Sequence, residues 1–509
     1  MDFYSELESR NLLPILRHLD YEPPNFIGWD KVKVSLLDIV QNKKSVYFEG
    51  DYDVDGLCCS LGVQEAFKFF GVKNFHIYRF RKRMHSVDPV AVQQCIQGHY
   101  DYFFVADTGS NDLELLKKLV KHGIKVIVLD HHETEYSYSD FGDDIAIINT
   151  MIENRMGGNF ALSAGALCFT VMDLLSLELG LRLPQGFAAF AVTSLFADIM
   201  SMNNELNRSL YYYGTEIPEE ELPQQLLWFK SEYSKFNARY IGFWYSPRIN
   251  ACFRSEQFSV LNDLYFNDLT YEERLKCVDF IEHVYTVSRE LVAKVSDVAC
   301  AFCAQMNTFV FVDLSQVDQY YSIVRNKLYN YTGLIANKLS NRYSKPCLTI
   351  CPQDGDLKGS VRDLQGRNYL DVFRQLCYAG GHGAAFGIRI NYLDYKTFIQ
   401  DFENFDENYS VDDVGNKPII INVDEDVMSI DNSMIEDMAR YNEFSSPGVP
   451  VLLLQKRMVG VEEKYNNYYY KYDWDGKEIQ SDTRIKLGET VLIKPMFSGR
   501  LKLLVQSRG

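Results

Sequence analysis

"SVYFEGDYDVDGLCCSLGVQEAFKFFG", residues 45–71, places a strand pattern, an acidic turn and a helix pattern end to end. The first six residues form a short apolar run of β-type side chains, and those from Gly56 onward repeat apolar positions at helical spacing. Between them Asp51, Asp53 and Asp55 stand at alternate positions and close on Gly56. Like charges this close raise one another's cost of ionisation. Either a cation holds them, or the stretch is a solvated turn.

The same grammar recurs downstream. "DYFFVADTGS" (101–110) drives an apolar strand into Asp107, "IKVIVLDHHET" (124–134) drives another into Asp130, His131 and His132, and "DIAIINT" (144–150) supplies a further strand. Continuous apolar strands alternating with helices predict an α/β fold built on a doubly wound parallel sheet, whose ligands collect at the carboxyl ends of the strands. One aspartate after a strand is ordinary loop chemistry. Three acidic clusters at three strand ends, with a His-His pair among them, point to a site.

Composition bounds the rest. A chain of 509 residues is too long for one ordinary core, and 47% hydrophobic with 14% aromatic residues can bury several. The formal charge of −17 excludes indiscriminate binding of nucleic acid over the whole surface. A local basic channel stays open: "RFRKR" (79–83) carries four positive charges, although a solvated basic loop reads the same way. Eleven cysteines without a signal peptide or regular framework read as reduced thiols in a cytoplasmic protein, and Cys300, Cys303, Cys347 and Cys351 read as core rather than zinc ligands. The longest apolar run, "GFAAFAVTSLFADIM" (186–200), is shorter than the ~20 residues a bilayer needs and carries Asp198. A buried helix is expected there, and no membrane span.

Residues 269–305 form a long helical pattern opened by a capping box of Thr270 and Glu273. Beyond it, "NTFVFVDL", "YTGLIANKLSNRYSKPCLTIC" and "AFGIRINYL" describe a second α/β unit. An acidic stretch at 401–418 reads as a linker, and the last ninety or so residues alternate short strands with turns, as a small β-barrel does. The expected domains are 1–268, a connecting helix over 269–305, 306–400 and 417–509.

Carboxylates and imidazoles aimed into one crevice suit a pair of hard divalent ions, Mn²⁺ or Mg²⁺, better than structural zinc. Two such ions clamp a phosphate and acidify water near neutral pH.

"DYDVDG" (51–56), "ADTGS" (106–110), "LDHHE" (129–133) and "FADIM" (196–200) match, in order and spacing, the four motifs of the DHH phosphoesterase superfamily. More closely, the chain resembles the RecJ single-strand DNA exonucleases. "SPRINACFR" (246–254), "KGSVRD" (358–363) and "GGHGAAFG" (380–387) resemble further elements of that family, and the tail resembles its OB-fold in outline. The likeness covers roughly residues 40–400.

The resemblance implies a DHH catalytic domain, a connecting helix, a DHH-associated substrate-binding domain and an OB-like β domain. It implies that Asp53, Asp55, Asp107, His131, His132 and Asp198 ligate or orient two metal ions, with Asp107 bridging. Asp51 either completes the first metal site or stands behind it, and Asp130 orients an imidazole. Asp107, His132 and His382 are the catalytic residues it implies, His382 reaching the scissile phosphate. Ser360 and Arg362 resemble an anchor for a terminal 5′-phosphate, aided by Arg81 and by Arg248 or Arg254. The activity implied is 5′ to 3′ hydrolysis of single-stranded DNA to 5′-mononucleotides in repair, recombination or replication. The protein is expected as a monomer, with a helicase or single-strand-binding protein as partner. Relatives that act on short RNA or dinucleotides, and non-catalytic replication scaffolds, are the alternatives. Phe253, the Phe within "AAFG" and residues 83–88 depart from the family pattern without touching the metal motifs. The aromatic stretch "YNNYYYKYDW" (465–474) reads either as a base-stacking surface or as a hairpin covering the barrel.

Overall fold

The computed structural model describes residues 3–81, 85–230, 235–318, 328–353, 355–363, 367–408, 419–422, 432–445, 451–457, 464–465, 470–474, 477–481, 485, 489–498 and 500–508. Lys82 and Arg83 of the basic stretch with Met84 after it, 409–418 of the linker and 466–469 of the aromatic stretch lie outside these residues. The chain divides into two compact units, one of residues 1–79, 84–247 and 418–509, the other of 80–83 and 248–417.

In the first unit, β1 (Val46–Gly50), β2 (Phe75–Ile77), β3 (Tyr102–Ala106), β4 (Lys125–Asp130) and β5 (Ile145–Asn149) form a wholly parallel sheet in the order β2-β1-β3-β4-β5. Alternate residues of each strand enter opposite cores. Phe48, Phe104, Ile127 and Ile148 pack with the helices Trp29–Gln41, Val54–Phe69 and Ala164–Glu178, whereas Tyr47, Phe103, Val126 and Ile147 pack with the helices Pro89–Gln97 and Leu113–Lys121. Burial on both faces is why these strands read as unbroken apolar runs. β2 is short and only partly buried, which is why its sequence carries no comparable signal.

The buried helix expected over 186–200 is a 3₁₀ turn followed by the helix Ala188–Ala197. The long helix runs from Tyr271 to Ala299, and its capping box forms as read: the Thr270 hydroxyl takes the Glu273 N–H and the Glu273 carboxylate takes the Thr270 N–H.

The second unit holds a six-stranded mixed sheet of β6 (Ala304–Gln305), β7 (Val310–Asp313), β8 (Cys347–Gln353), β9 (Asp356–Arg362), β10 (Tyr378–His382) and β11 (Ala385–Asn391), ordered β10-β11-β9-β8-β7-β6. Two of the departures from the family pattern are buried rings of this unit. Phe253 is buried edge-on against Phe80 at 4.9 Å, so the ring fixes the start of the basic stretch, and Phe386 packs edge-on against Phe373 at 5.2 Å.

A third sheet, in the first unit, joins β12 (Ile419–Asn422), β13 (Leu452–Arg457), β14 (Lys464–Tyr465), β15 (Tyr470–Trp474), β16 (Lys477–Ser481), β17 (Thr490–Ser498) and β18 (Arg500–Arg508) in the order β12-β13-β17-β18-β16-β15-β14. An OB-like barrel is compatible with these pairings. Strands and turns alone do not describe the tail, however: the helix Asn432–Glu443 joins parallel β12 to β13 and packs on β17. Tyr472 of the aromatic stretch is buried, its hydroxyl accepting the Ile485 N–H, so that ring serves the sheet. All eleven cysteines are free thiols, seven of them buried. Among the described residues no helix is long and apolar enough to cross a membrane.

Candidate metal centre

The parallel sheet delivers the site because its carboxyl ends lie side by side. β1, β3 and β4 are paired in register, Gly50 with Ala106 and Ala106 with Leu129, so Asp51, Asp107 and Asp130 leave three adjacent strands together. Glycine tightens the first turn. A β-carbon on Gly56 would stand 2.1 Å from the Asp51 carbonyl oxygen and 2.4 Å from its nitrogen, so only a bare Cα lets the helix Val54–Phe69 start against the turn. Asp53 caps that helix, its carboxylate accepting the Gly56 N–H at 3.1 Å.

At the site two residues hold the backbone at φ above zero without being glycine. Asp107 has φ 66°, its N–H bonded to the Leu129 carbonyl at 2.9 Å, and Ile199, directly after Asp198, has φ 53°. Left-handed backbone at such residues costs on the order of 1–3 kcal/mol each, and it collects where surrounding structure aims a functional group.

Three overlapping groups result: Asp51, Asp53 and Asp107; Asp55, His131 and Asp198; and Asp107, His131 and His132. In each, one ligand atom per residue lies within 4.8 Å of the others. His131 Nε2 faces three carboxylates at once, Asp107 at 3.2 Å, Asp198 at 3.5 Å and Asp55 at 3.7 Å. The structure thus brings together all seven residues read as ligands, including Asp51. In the pairs that His131 and His132 make with the carboxylates, Asp198 and His132 are the exposed members, with side chains 25% and 44% accessible.

Burial, then Asp55, Asp53 and the other neighbouring carboxylates, push the Asp107 carboxyl well above its ordinary range. Asp55 is pushed the same way by burial and then by Asp198 and Asp53, and Asp53 reaches about 6 by burial and then by Asp51 and Asp198. Buried carboxylates that repel one another call for a cation. The donor set fits one: hard oxygens, two imidazoles, no thiolate, and a buried Asp51 Oδ1 with no hydrogen-bond partner.

Asp130 sits behind the cluster. It accepts the N–H groups of Ser110, His131 and His132 at 3.1, 2.8 and 3.2 Å and meets His132 Nδ1 at 2.8 Å. Burial alone would raise its pKa, yet His132, His131 and the hydrogen bonds hold it well below the usual carboxylate range. Asp130 is therefore the acceptor and His132 Nδ1 carries the proton, which fixes the ring. Asp130→Asn replaces one accepting oxygen by an amide that donates and removes the charge facing His132; Mn²⁺ affinity is expected to fall about 10- to 100-fold, read by calorimetric titration, while the thermal unfolding of the chelated chain changes little.

Several supports escaped the sequence reading. Ser194, one turn before Asp198, donates to Asp55, whose carboxylate also accepts the Ala164 and Gly165 N–H groups at 2.9 and 2.7 Å. His85 Nδ1 meets Asp51 Oδ2 at 2.8 Å. The Asn149 amide donates to Ser110 Oγ and to the His132 carbonyl at 2.8 and 3.0 Å. Only Ser194 left a trace in sequence, its spacing from Asp198 on one helix face.

The residues read as phosphate anchors belong to the second unit. Ser360 and Arg362 share β9; Ser360 Oγ meets Thr332 Oγ1 at 2.9 Å, and Gly333 lets the Arg362 guanidinium lie where a β-carbon would stand 2.6 Å from Nη2. Burial lowers the Arg362 pKa to about 10, and its Nη1 donates to the Val361 and Phe386 carbonyls. His382 pairs with Ala385, which pairs with Arg362, so the three positions form one row across β10, β11 and β9; the His382 side chain lies outside the described residues. Arg248 is drawn elsewhere, paired with Glu282 and 4.6 Å over the Tyr285 ring. Arg81 is exposed, and the Arg254 carbonyl takes the Asn330 amide at 2.9 Å.

The model of the DHH family, N-terminal domain, matches residues 45–195, the span that carries six of the seven ligand residues. Over that span the chain is similar to the DHH family. The chain is 22% identical over 388 residues to the single-stranded-DNA-specific exonuclease RecJ of Bacillus subtilis, an alignment covering 74% of this chain and 47% of the relative. It thus spans about half the length of that protein. It is 21% identical over 419 residues to RecJ of Haemophilus influenzae, covering 74% and 68%. Its fold matches that of Thermus thermophilus RecJ in complex with Mn²⁺ with a TM-score of 0.74 at 17% identity, over 98% of this chain and 74% of that one. The Mg²⁺ complex of that protein gives 0.68 at 16% identity, over 98% and 73%.

Proposed function

We propose that the chain is a metal-dependent exonuclease that hydrolyses single-stranded DNA from the 5′ end to 5′-mononucleotides. One observation carries this reading: Asp107 and His131 each belong to two of three overlapping ligand groups, as expected where two ions share ligands. Asp53, Asp55, Asp107, His131, His132 and Asp198 would hold the ions, with Asp51 on the first of them, and Mn²⁺ or Mg²⁺ suits these donors. When bound, such ions supply Lewis acidity and lower the pKa of water. The chain's own residues do the rest. Asp130 and Asn149 keep the His132 ring and loop in place, Ser194 and the Ala164 and Gly165 N–H groups fix Asp55, and His85 bears on Asp51.

In the second unit, Ser360 and Arg362 would take the terminal phosphate through a guanidinium fork, with Arg81 and Arg254 as further cations and His382 polarising the scissile phosphate. Arg248, already paired with Glu282, is the weakest of these assignments. Residues 1–268 would form the catalytic domain, 306–400 the strand-binding domain and 417–509 the OB-like domain. Repair, recombination or replication, in the cytoplasm and beside a helicase or single-strand-binding protein, is the setting that fits.

The test uses single strands labelled at either terminus, with and without a 5′-phosphate, in Mn²⁺. A 5′ label is expected to leave as mononucleotide at the earliest times, while a 3′ label marks a ladder shortening one nucleotide at a time. Internal fragments first, or a preference for dinucleotides over long strands, would contradict it.

A further inference from the structure

Within the first unit, two exposed aromatic residues adjacent in sequence, Phe243 and Trp244, stand by two part-buried cations, none of the four assigned above. The helix Ala238–Tyr240 passes into a single π-helical turn, Ile241–Tyr245. Its inward side is firmly seated: Tyr240, Ile241 and Tyr245 are buried, and the Tyr240 hydroxyl donates to the Leu226 carbonyl at 2.8 Å. Its outward side leaves Phe243 69% and Trp244 47% exposed. Single π turns widen a helix and recur at functional sites.

The Arg239 guanidinium lies 5.9 Å from the Phe243 ring centroid, and its Nη1 is 3.3 Å from Met496 Sδ on β17. Lys494, two residues earlier on that strand, shares the face of Met496. Burial and then the nearby Arg239 lower the Lys494 pKa, so the two cations sense one another. Neither has a carboxylate partner among the described residues. Part-buried like charges without a counter-ion are costly, and in a chain of net charge −17 they were not left so for want of carboxylates.

We infer that Arg239, Phe243, Trp244 and Lys494 form a second binding site for single-stranded DNA, in which the rings stack bases and the cations take the adjoining backbone phosphate. Planar rings interleaved with cations are what a flexible polyanion with flat bases recognises. An acidic peptide would satisfy the cations and leave the rings without a matching face. The helix Ala188–Ala197, which ends at Asp198, packs against this π turn, so the site stands on the element that carries a metal ligand. The inference rests on the proposed substrate and deepens it: the strand would be gripped at a point other than its terminus.

The test is fluorescence anisotropy of a labelled oligothymidine strand in chelator, where nothing is cut. Phe243→Ala is expected to weaken binding about tenfold, Phe243→Tyr to retain it, and Arg239→Gln and Lys494→Gln each to make the salt dependence shallower by about one counterion. Unchanged thermal unfolding and unchanged Mn²⁺-dependent hydrolysis of bis(p-nitrophenyl) phosphate would show that fold and metal chemistry survive. Undiminished strand affinity in Phe243→Ala and Arg239→Gln, in a chain whose wild type degrades single strands, overturns the second site and leaves the proposed function standing. Loss of affinity in Phe243→Tyr as great as in Phe243→Ala also counts against stacking. Tight binding to anionic vesicles that the same variants abolish, with strand binding unaltered, would assign the patch to a membrane surface instead. A wild type that neither binds nor cuts strands removes both readings.

Discussion

Asp107→Asn is expected to reduce Mn²⁺-dependent strand cleavage at least ~10³-fold, because its carboxylate belongs to two of the three ligand groups and no neighbour can replace it. The same substitution should stabilise the chelated protein. Without a cation, burial and the surrounding carboxylates push the Asp107 carboxyl well above its ordinary value of 3.8. A raised folded-state pKa means that the folded chain holds a proton which the unfolded chain has released, so the cost is absent below the ordinary pKa and grows as pH rises through the raised one. Asp53, held at about 6, contributes in the same direction between 3.8 and about 6. The melting temperature of chelated Asp107→Asn should therefore exceed that of the wild type near neutral pH, by a margin that narrows on acidification. Added Mn²⁺ should reverse the order by stabilising the wild type alone. Equal melting temperatures in chelator at both pH values would show that the carboxylates do not repel as their placement requires.

Gly56→Ala should damage the fold and the metal centre together. The added carbon meets backbone, the Asp51 carbonyl oxygen at 2.1 Å and nitrogen at 2.4 Å, and neither can yield by a rotamer change. The turn that carries Asp51 and Asp53 has to move off the start of the helix Val54–Phe69, breaking the Asp53 cap. A loss of about 1–3 kcal/mol from overpacking is expected in chemical unfolding, together with loss of Mn²⁺ binding. Gly71→Ala is the control: a β-carbon there meets nothing within 4 Å, so it probes only the positive φ of 76° and should leave Mn²⁺ binding intact. Retained metal affinity in Gly56→Ala would mean that the turn is not what places Asp51 and Asp53.

How much of this was legible follows from what each residue's neighbours demand. β1, β3, β4 and β5 could be read because both faces of the sheet are buried, which forces unbroken apolar runs, and the aspartates stood out because the runs of β1, β3 and β4 each end on one. The long helix was legible through Thr270 and Glu273, a local device independent of tertiary context. Asp130 was separable from the ligands because it shares its motif with two imidazoles that need an acceptor. His85 was hidden: it lies 34 residues from Asp51, and only the fold brings them to 2.8 Å. The left-handed backbone at Asp107 and Ile199 leaves no mark either, since neither is glycine. Nor could local pattern show that 418–509 joins the first unit, a grouping made by distant contacts such as Tyr4 with Asp437 and Tyr211 with Phe444.

The most direct measurement is the number of Mn²⁺ ions bound per chain, taken by calorimetry and checked by electron paramagnetic resonance for magnetic coupling between neighbouring ions. Two ions with a coupled signal are expected in the wild type, and the coupling should vanish in Asp107→Asn. A wild type that binds no Mn²⁺, or whose binding is indifferent to Asp107, would contradict the metal centre outright.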